Sequence, residues 1–466
     1  MNILLITADD LNWNSVGAYG CEVEDVTPNL DRLAAKGVRF EHAHVTISVC
    51  QPSRGALATG RYPHRSGIEG FEHIDSDVPL VTERLRAGGY LCGIIGKVGH
   101  SSPKTAFEYE MSVDMDELGH GRAPDIYHRH ARDFIERATR EGRPFYLMAN
   151  SHDPHRPFVG NDPTDWYEPG DVPAAVPPSR TYTADEVTVP GFLPDLPEVK
   201  REMAEYYGSV RRCDDTVGAV LRALSEAGAE RDTLVMFLSD NGMALPFAKT
   251  NCYLHSTRTP WIVRWPGVVD PGRVDSDHFV SGIDFMPTVL DAAGLPLPDG
   301  MDGASFVPVL KGERQEGRDV VFTQFHENWA RNRFPMRCVR ERRFGYIFSP
   351  WSDGERVFKN ESQSGRTFKA MREAAKTDPA IAARVELFVR RVTEELYDFE
   401  NDPDARVNLV DDPRYSEDLD RLRAGLEEWM ERTGDPALGA FRDRDSRETL
   451  AGFMSEQEAR AGKPRG

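Results

Sequence analysis

The chain has 466 residues, of which 39% are hydrophobic and 29% charged. Its 57 basic residues against 76 acidic ones give a formal net charge of −19, which excludes a general attraction to nucleic acid or to an anionic membrane. An anionic substrate would be repelled at long range, so a site for one must concentrate positive charge locally.

Residues 3–7 form a short apolar run that reads as a buried strand, followed at once by Asp9 and Asp10. Met1 leads into that run with neither a basic segment nor a small-residue cleavage site. This predicts a cytoplasmic location, or a periplasmic or secreted one if a signal has been removed. Thr27-Pro28-Asn29-Leu30-Asp31-Arg32-Leu33 opens a helix with a cap residue, proline at the first helical position and a leucine repeat, and Gly37 ends it. Residues 91–95, 145–150 and 234–239 read as further strands, and residues 203–224 as a long amphipathic helix. Strands alternating with helices predict an α/β domain with a large, mainly parallel sheet flanked by helices.

The stretch 161–197, rich in proline, aspartate and glycine, reads as a surface excursion. Past residue 315 the pattern changes to strands at 320–325, 336–339 and 344–348, followed by a charged helical stretch, the segment Glu395-Leu396-Tyr397-Asp398 and a helix near 415–433. This predicts a catalytic domain over 1–315 and a smaller domain over 316–466, built of antiparallel sheet and helix. The tail after Arg442 is charged and weakly patterned. The six cysteines are scattered, without metal-site or redox spacing, and read as reduced thiols. No segment reaches the apolar length that spans a bilayer.

Asp9-Asp10 and Asp240-Asn241 each follow a predicted strand, so both fall where open α/β sheets bind ligands, beyond the carboxyl ends of the strands. Taken singly, either cluster is an ordinary turn. Together they offer three carboxylates and an amide oxygen, hard ligands suited to calcium or magnesium. Cys50 in isolation is a small buried hydrophobe. Its context is Cys50-Gln51-Pro52-Ser53-Arg54 with Thr59-Gly60-Arg61 downstream. Four fixed residues at fixed spacing arise by chance in a chain of this length only about once in several hundred sequences. Pro52 can open a helix, placing residue 50 at an N-terminus that favours anions, and Arg54 adds a forked cationic donor.

This segment resembles the signature of the type I sulfatases, of the alkaline phosphatase superfamily, in which the cysteine is oxidised to formylglycine by a formylglycine-generating enzyme. The resemblance extends from about residue 2 to residue 410. It implies Asp9, Asp10, residue 50, Asp240 and Asn241 as ligands of one divalent ion, usually calcium, with magnesium as the alternative. Gly93-Ile94-Ile95-Gly96-Lys97 is similar to the segment carrying an active-site lysine, and His152-Asp153-Pro154-His155 to a histidine-bearing loop. Lys249 falls at the position of a basic residue that contacts sulfate. Cys50, Arg54, Lys97, His100, His155 and Lys249 are therefore the implied catalytic set. His100 departs from the pattern, because the family places its histidine two residues after the lysine, whereas Val98 and Gly99 intervene here.

Four features resemble the sulfamidases, which remove the N-sulfate of glucosamine in heparan-type glycosaminoglycans. They are the loop Ser151 to Arg156, Lys249-Thr250-Asn251, Phe334-Pro335-Met336-Arg337 after His326-Glu327, and Glu395-Leu396-Tyr397-Asp398 with Asp402-Pro403 and Asn408-Leu409. They add His152, Arg156, His326, Glu327 and Arg337 as implied substrate-binding residues, while the likeness to the wider family implies a homodimer through the smaller domain. The expected function is hydrolysis of sulfate from a sulfated saccharide by a formylglycine made from Cys50, with the N-sulfate of glucosamine as the expected target. The alternatives are an O-sulfatase, a phosphonate or phosphodiester hydrolase of the same superfamily, or a non-catalytic glycan-binding protein.

Overall fold

The computed structural model describes residues 1–74, 77–104, 109–162 and 175–461. Its larger sheet has eight strands: β1 (Asn2–Asp9), β2 (Val38–His44), β3 (Leu91–Ile95), β4 (Met111–Val113), β5 (Phe145–Pro154), β6 (Thr233–Ser239), β7 (Trp261–Arg264) and β8 (Arg273–Ser281). They lie in the order β4-β3-β5-β1-β6-β7-β2-β8. Every pairing is parallel except those of β7, which runs against β6 and β2. The expectation of a mainly parallel sheet holds.

β1 lies between β5 and β6, pairing Thr7 with Asn150 and Ala8 with Ser239. A central parallel strand is covered on both faces, which is why its sequence is an unbroken apolar run. Leu4, Ile6 and Ala8 face one core, with Leu30 and Leu33 of α1 (Pro28–Ala35) and with Val210 and Val217 of the helix Pro197–Glu226. Ile3 and Leu5 face the other, with Leu57 of α2 (Cys50–Thr59) and Val289 of the helix Phe285–Ala292. The register that sandwiches β1 also brings the ends of β1, β5 and β6 to one rim.

The second sheet is antiparallel, in the order β12-β11-β10-β9, from β9 (Val321–Glu327), β10 (Arg333–Arg340), β11 (Phe344–Phe348) and β12 (Glu394–Asp398). The helix Ser416–Thr433 buries Leu422, Leu426 and Trp429 in the same apolar core as Phe325, Met336 and Tyr346 of this sheet. That core is continuous with one face of the larger sheet. A backbone bond from Gln324 N–H to Thr46 O, at 2.9 Å, ties β9 to the loop that leads into α2. The tail read as weakly patterned folds as the helix Arg447–Ala461, burying Phe453 and Met454. Part of the stretch 161–197 lies outside the described residues. No helix among the described residues is long and apolar enough to cross a membrane, and all six cysteines are free thiols.

Candidate active site

At the rim, β1 ends on Asp9 and the next residue turns sharply: Asp10 has φ 68°, a left-handed conformation that aspartate tolerates better than most residues. Its N–H donates to Asp240 Oδ1 at 3.2 Å, and Leu11 N–H donates to Ser239 Oγ at 2.9 Å. These bonds stitch the ends of β1 and β6 together. Asp9, Asp10 and Asp240, all without solvent exposure, thus bring one carboxylate oxygen each to within 4.8 Å of one another. Asn241 donates through Nδ2 to Asp10 Oδ1 at 2.7 Å, and its buried Oδ1 has no hydrogen-bond partner.

Cys50 is the first residue of α2, with Val49 extended before it, and Pro52 lies in the first turn. Its Sγ is 3.3 Å from Asp9 Oδ1. Burial and the neighbouring Asp9 push the thiol well above its usual range. The unmodified side chain is therefore a neutral thiol and a poor nucleophile. One turn on, fully buried Arg54 donates from Nε and Nη2 to Asp240 Oδ2 at 3.0 and 2.7 Å. Its Nη1 donates to Thr7 Oγ1 and Asn150 Oδ1, both at 2.8 Å. Asn150 Nδ2 then donates to Gly96 O at 2.8 Å, so one guanidinium joins β1, β5, β6 and the turn after β3.

That turn presents Lys97. Gly96 has φ 75°, and a Cβ there would sit 2.3 Å from Asn150 O, so only glycine fits. Lys97 follows at φ 53° and its ammonium pairs with Asp9 Oδ2. Lys249 Nζ lies 2.8 Å from Asp10 Oδ1 and 3.0 Å from Glu361 Oε1. His155 Nε2 is 3.8 Å from Asp10 and 3.9 Å from Glu361. Its Nδ1 lies 2.6 Å from Arg156 O. A carbonyl only accepts, so Nδ1 carries the proton and Nε2 of the neutral ring is an open lone pair. Buried Asp153 steadies the loop by accepting from Arg122 and Arg212, and Arg122 also donates to His155 O at 3.0 Å.

The electrostatics follow from this crowding. Burial opposes ionisation of Asp9, yet Lys97, His155, Arg54 and Lys249 outweigh it and hold the carboxyl well below its ordinary range. Asp10 and Asp240 are each raised to about 7. Burial is the largest cause for both, and neighbouring carboxylates add to it. Burial also lowers His155 to about 4, assisted by Lys249. Three cations thus face four carboxylates, Asp9, Asp10, Asp240 and Glu361. A divalent cation at the three-aspartate cluster would reverse that local sign.

Asp9, Asp10, Cys50, Arg54, Lys97, His155, Lys249, Asp240 and Asn241 therefore meet as the sequence predicts. The other expectations fare differently. His100 sits edge-on to Phe71 at 5.4 Å, near Lys97, with its buried Nδ1 unpartnered and no hydrogen bond to Cys50. His152 is not aimed at a ligand: its Nε2 accepts Lys97 N–H at 3.1 Å from behind, and Gly121 packs so tightly that a Cβ would come within 2.1 Å of the ring. Arg156 is buried against Glu202 at 2.6 Å. His326 and Glu327 belong to a buried ionic cluster with Glu69 and Arg333, and Arg337 is clamped by Asp435 through Nε and Nη2 at 2.5 and 2.9 Å. In these four the charged groups are engaged by partners within the protein, as buried charged side chains must be.

Glu361 and Asn150 are site members that the sequence did not disclose. Glu361 stands outside every motif, although Asn150 at the end of a predicted strand was a legible rim position.

A mainly parallel sheet flanked by helices, whose rim joins three buried carboxylates to a residue at a helix N-terminus, has the alkaline-phosphatase-like fold. The same fold occurs in the crystal structure of a candidate sulfatase from Bacteroides thetaiotaomicron, with TM-score 0.68, 23% identity, and 95% of this chain and 94% of that chain covered. The sulfatase family model matches residues 1–295, and that of the N-sulphoglucosamine sulphohydrolase C-terminal region matches residues 244–353. Human N-sulphoglucosamine sulphohydrolase is 31% identical over 93% of this chain and 91% of its own. The delta 4,5-hexuronate-2-O-sulfatase of Bacteroides thetaiotaomicron is 25% identical over 96% and 92%. The chain belongs to the sulfatase family and is a sulfuric-ester or sulfamate hydrolase. That family generally uses formylglycine and a divalent metal. The clustered oxygens of Asp9, Asp10 and Asp240, with the orphaned Asn241 Oδ1, fit a hard divalent ion.

Proposed function

We propose that this sulfatase hydrolyses the N-sulfate of glucosamine in heparan-type saccharides. The observation that carries the reading is similarity to human N-sulphoglucosamine sulphohydrolase along 93% of the chain, joined by the match of its C-terminal region. Asp9, Asp10, Asp240 and Asn241, with residue 50, would hold calcium, or magnesium in its place. Cys50 matured to formylglycine by a host enzyme would supply the oxygen nucleophile, and the metal would polarise sulfate oxygens.

The chain's own residues do the rest. Arg54 holds Asp240 in place, and Lys97 neutralises Asp9 beside residue 50. Lys249 is kept protonated by Asp10 against the effect of burial, so it can bind a sulfate oxygen and help protonate the departing nitrogen. The open Nε2 of His155 faces the same space. His100, the candidate to take a proton during release of sulfate, is neutral, and the same burial and Lys97 charge that lower it to about 3 also make it a weak base.

The similarity to a 2-O-sulfatase over 96% of the chain favours an O-sulfated sugar as the second reading. The test is sulfate release from N-sulfoglucosamine, glucosamine 6-sulfate, an aryl sulfate and an aryl phosphodiester. Enzyme from a formylglycine-making host is used, with Cys50→Ala as the blank. N-sulfoglucosamine is expected to give the highest kcat/KM and the blank none. A higher value for the 6-sulfate would transfer the assignment to O-sulfated sugars.

A further inference from the structure

We propose that Glu361 is the specificity-determining residue that receives the amine of the leaving group, a role that rests on the N-sulfate reading above. Glu361 opens the short 3-10 turn Glu361–Gln363, which lies between β11 and β12 in sequence and reaches the site from the second sheet's side of the chain. The turn is anchored through the two residues that precede it. Asn328 Nδ2, at the β9–β10 hairpin, donates to Lys359 O at 2.5 Å, and Asn360 Nδ2 donates to Thr250 Oγ1 at 2.8 Å. Ser362 Oγ donates to Asn360 Oδ1 at 2.8 Å. A carboxylate set in this way is preorganised, with little freedom left to lose on binding.

Its depth assigns its partner. Asp9, Asp10, Asp240 and Arg54 are closed off from solvent, and the Lys249 side chain is only 2% exposed. The side chains of His155 and Glu361 are 28% and 34% exposed, so they stand at the mouth. A sulfate bound at the floor against Lys249 leaves the organic part of the substrate at that mouth. Glu361 Oε1 is 3.0 Å from Lys249 Nζ, within reach of the atom through which the sugar joins sulfur. Glu361 also brings an oxygen within 4.8 Å of Asp10 and His155, and the Lys249 ammonium pairs with both it and Asp10.

The chemistry of that bridging atom separates the substrates. A sulfamate nitrogen carries an N–H that a carboxylate can accept, whereas an ester oxygen carries only lone pairs that a carboxylate repels. Hydrolysis is R–NH–SO3⁻ + H2O → R–NH3⁺ + SO4²⁻: the S–N bond breaks, an S–O bond forms, and water's protons end on nitrogen. Glu361 holds the N–H before cleavage and the ammonium after it.

Two measurements test this on the metal-loaded, formylglycine-containing enzyme and its Glu361→Gln variant, which keeps an acceptor oxygen for Lys249. The first is kcat/KM for N-sulfoglucosamine and for 4-nitrophenyl sulfate, whose phenolate leaves without an N–H. The variant should lose about a hundredfold on the sulfamate and less than tenfold on the aryl sulfate. Equal losses, or none, would overturn the role. The second is calorimetric binding of glucosamine against N-acetylglucosamine. The wild type should prefer the free amine at least tenfold and the variant should lose that preference. No preference in the wild type, or one that survives in the variant, would also overturn it. If the wild type prefers glucosamine through Glu361 yet releases no sulfate from N-sulfoglucosamine, amine recognition stands and the substrate reading falls.

Discussion

Among single residues, the carboxylates at the rim determine how the site responds to pH. Asp10 and Asp240 titrate near 7 in the metal-free fold, whereas unfolded aspartates titrate near 4. Between those values the folded chain keeps protons that the unfolded chain has released, so its stability falls as pH rises through this window. Above about pH 7 the full cost is present, and a divalent cation removes it by replacing the protons. Calcium or magnesium should therefore raise Tm by about 5 °C or more at pH 8 and by much less at pH 5. Calorimetric scans at the two pH values measure this, and an equal shift at both would contradict the assignment of these residues as ligands. The Cys50 thiol belongs to the same scale. Held neutral by burial and Asp9, it is ill suited to direct nucleophilic attack, which agrees with the proposed maturation to formylglycine.

Between elements, the turns after the strands place the chemistry. The turn after β3 aims Lys97 only because Gly96 lets the chain pass Asn150 O and because His152 receives Lys97 N–H. His152→Ala removes that acceptor from a buried donor, a loss of about 1–3 kcal/mol concentrated at the lysine. Sulfate release should fall tenfold to a hundredfold in kcat, with KM changed little, and His152→Gln, which offers an acceptor oxygen, should restore most of it. A loss of folding with unchanged kcat per folded molecule would make His152 a stability residue alone. The resemblance drew attention to this histidine as a substrate contact. The structure shows why a motif can mark a residue correctly yet leave its role open: spacing records that a position matters, not which way its ring faces.

At the scale of the whole molecule, the second sheet closes the fold around the site. The fully buried Arg337–Asp435 pair links β10 to the loop after the helix Ser416–Thr433. Asp435→Asn leaves a buried guanidinium without its carboxylate and should cost about 3–5 kcal/mol in denaturant unfolding. KM for sulfated substrate should stay as in the wild type, because the two charges are spent on each other. A raised KM with intact stability would return Arg337 to the substrate site. The larger molecule also resolves the contradiction posed by net charge. An enzyme with −19 overall can admit an anion because three buried cations, with a metal at the aspartate cluster, invert the sign locally.

Much of this was legible in the chain alone. The apolar runs of β1, β3, β5 and β6, the cap and leucine repeat of α1 and the Cys50-x-Pro-Ser-Arg segment are short-range patterns, set by backbone period and by neighbours a few residues away. Asp9, Asp10, Asp240 and Asn241 were readable because strand ends in an α/β sheet share a rim. Only the tertiary structure could bring Glu361 to Lys249, 112 residues distant, or pair His326 with Glu69, Glu327 with Arg333 and Arg337 with Asp435. Periodicity tells a residue whether it faces a core. Which distant residue it meets there depends on how sheets and loops pack, and that is fixed by the whole buried surface at once.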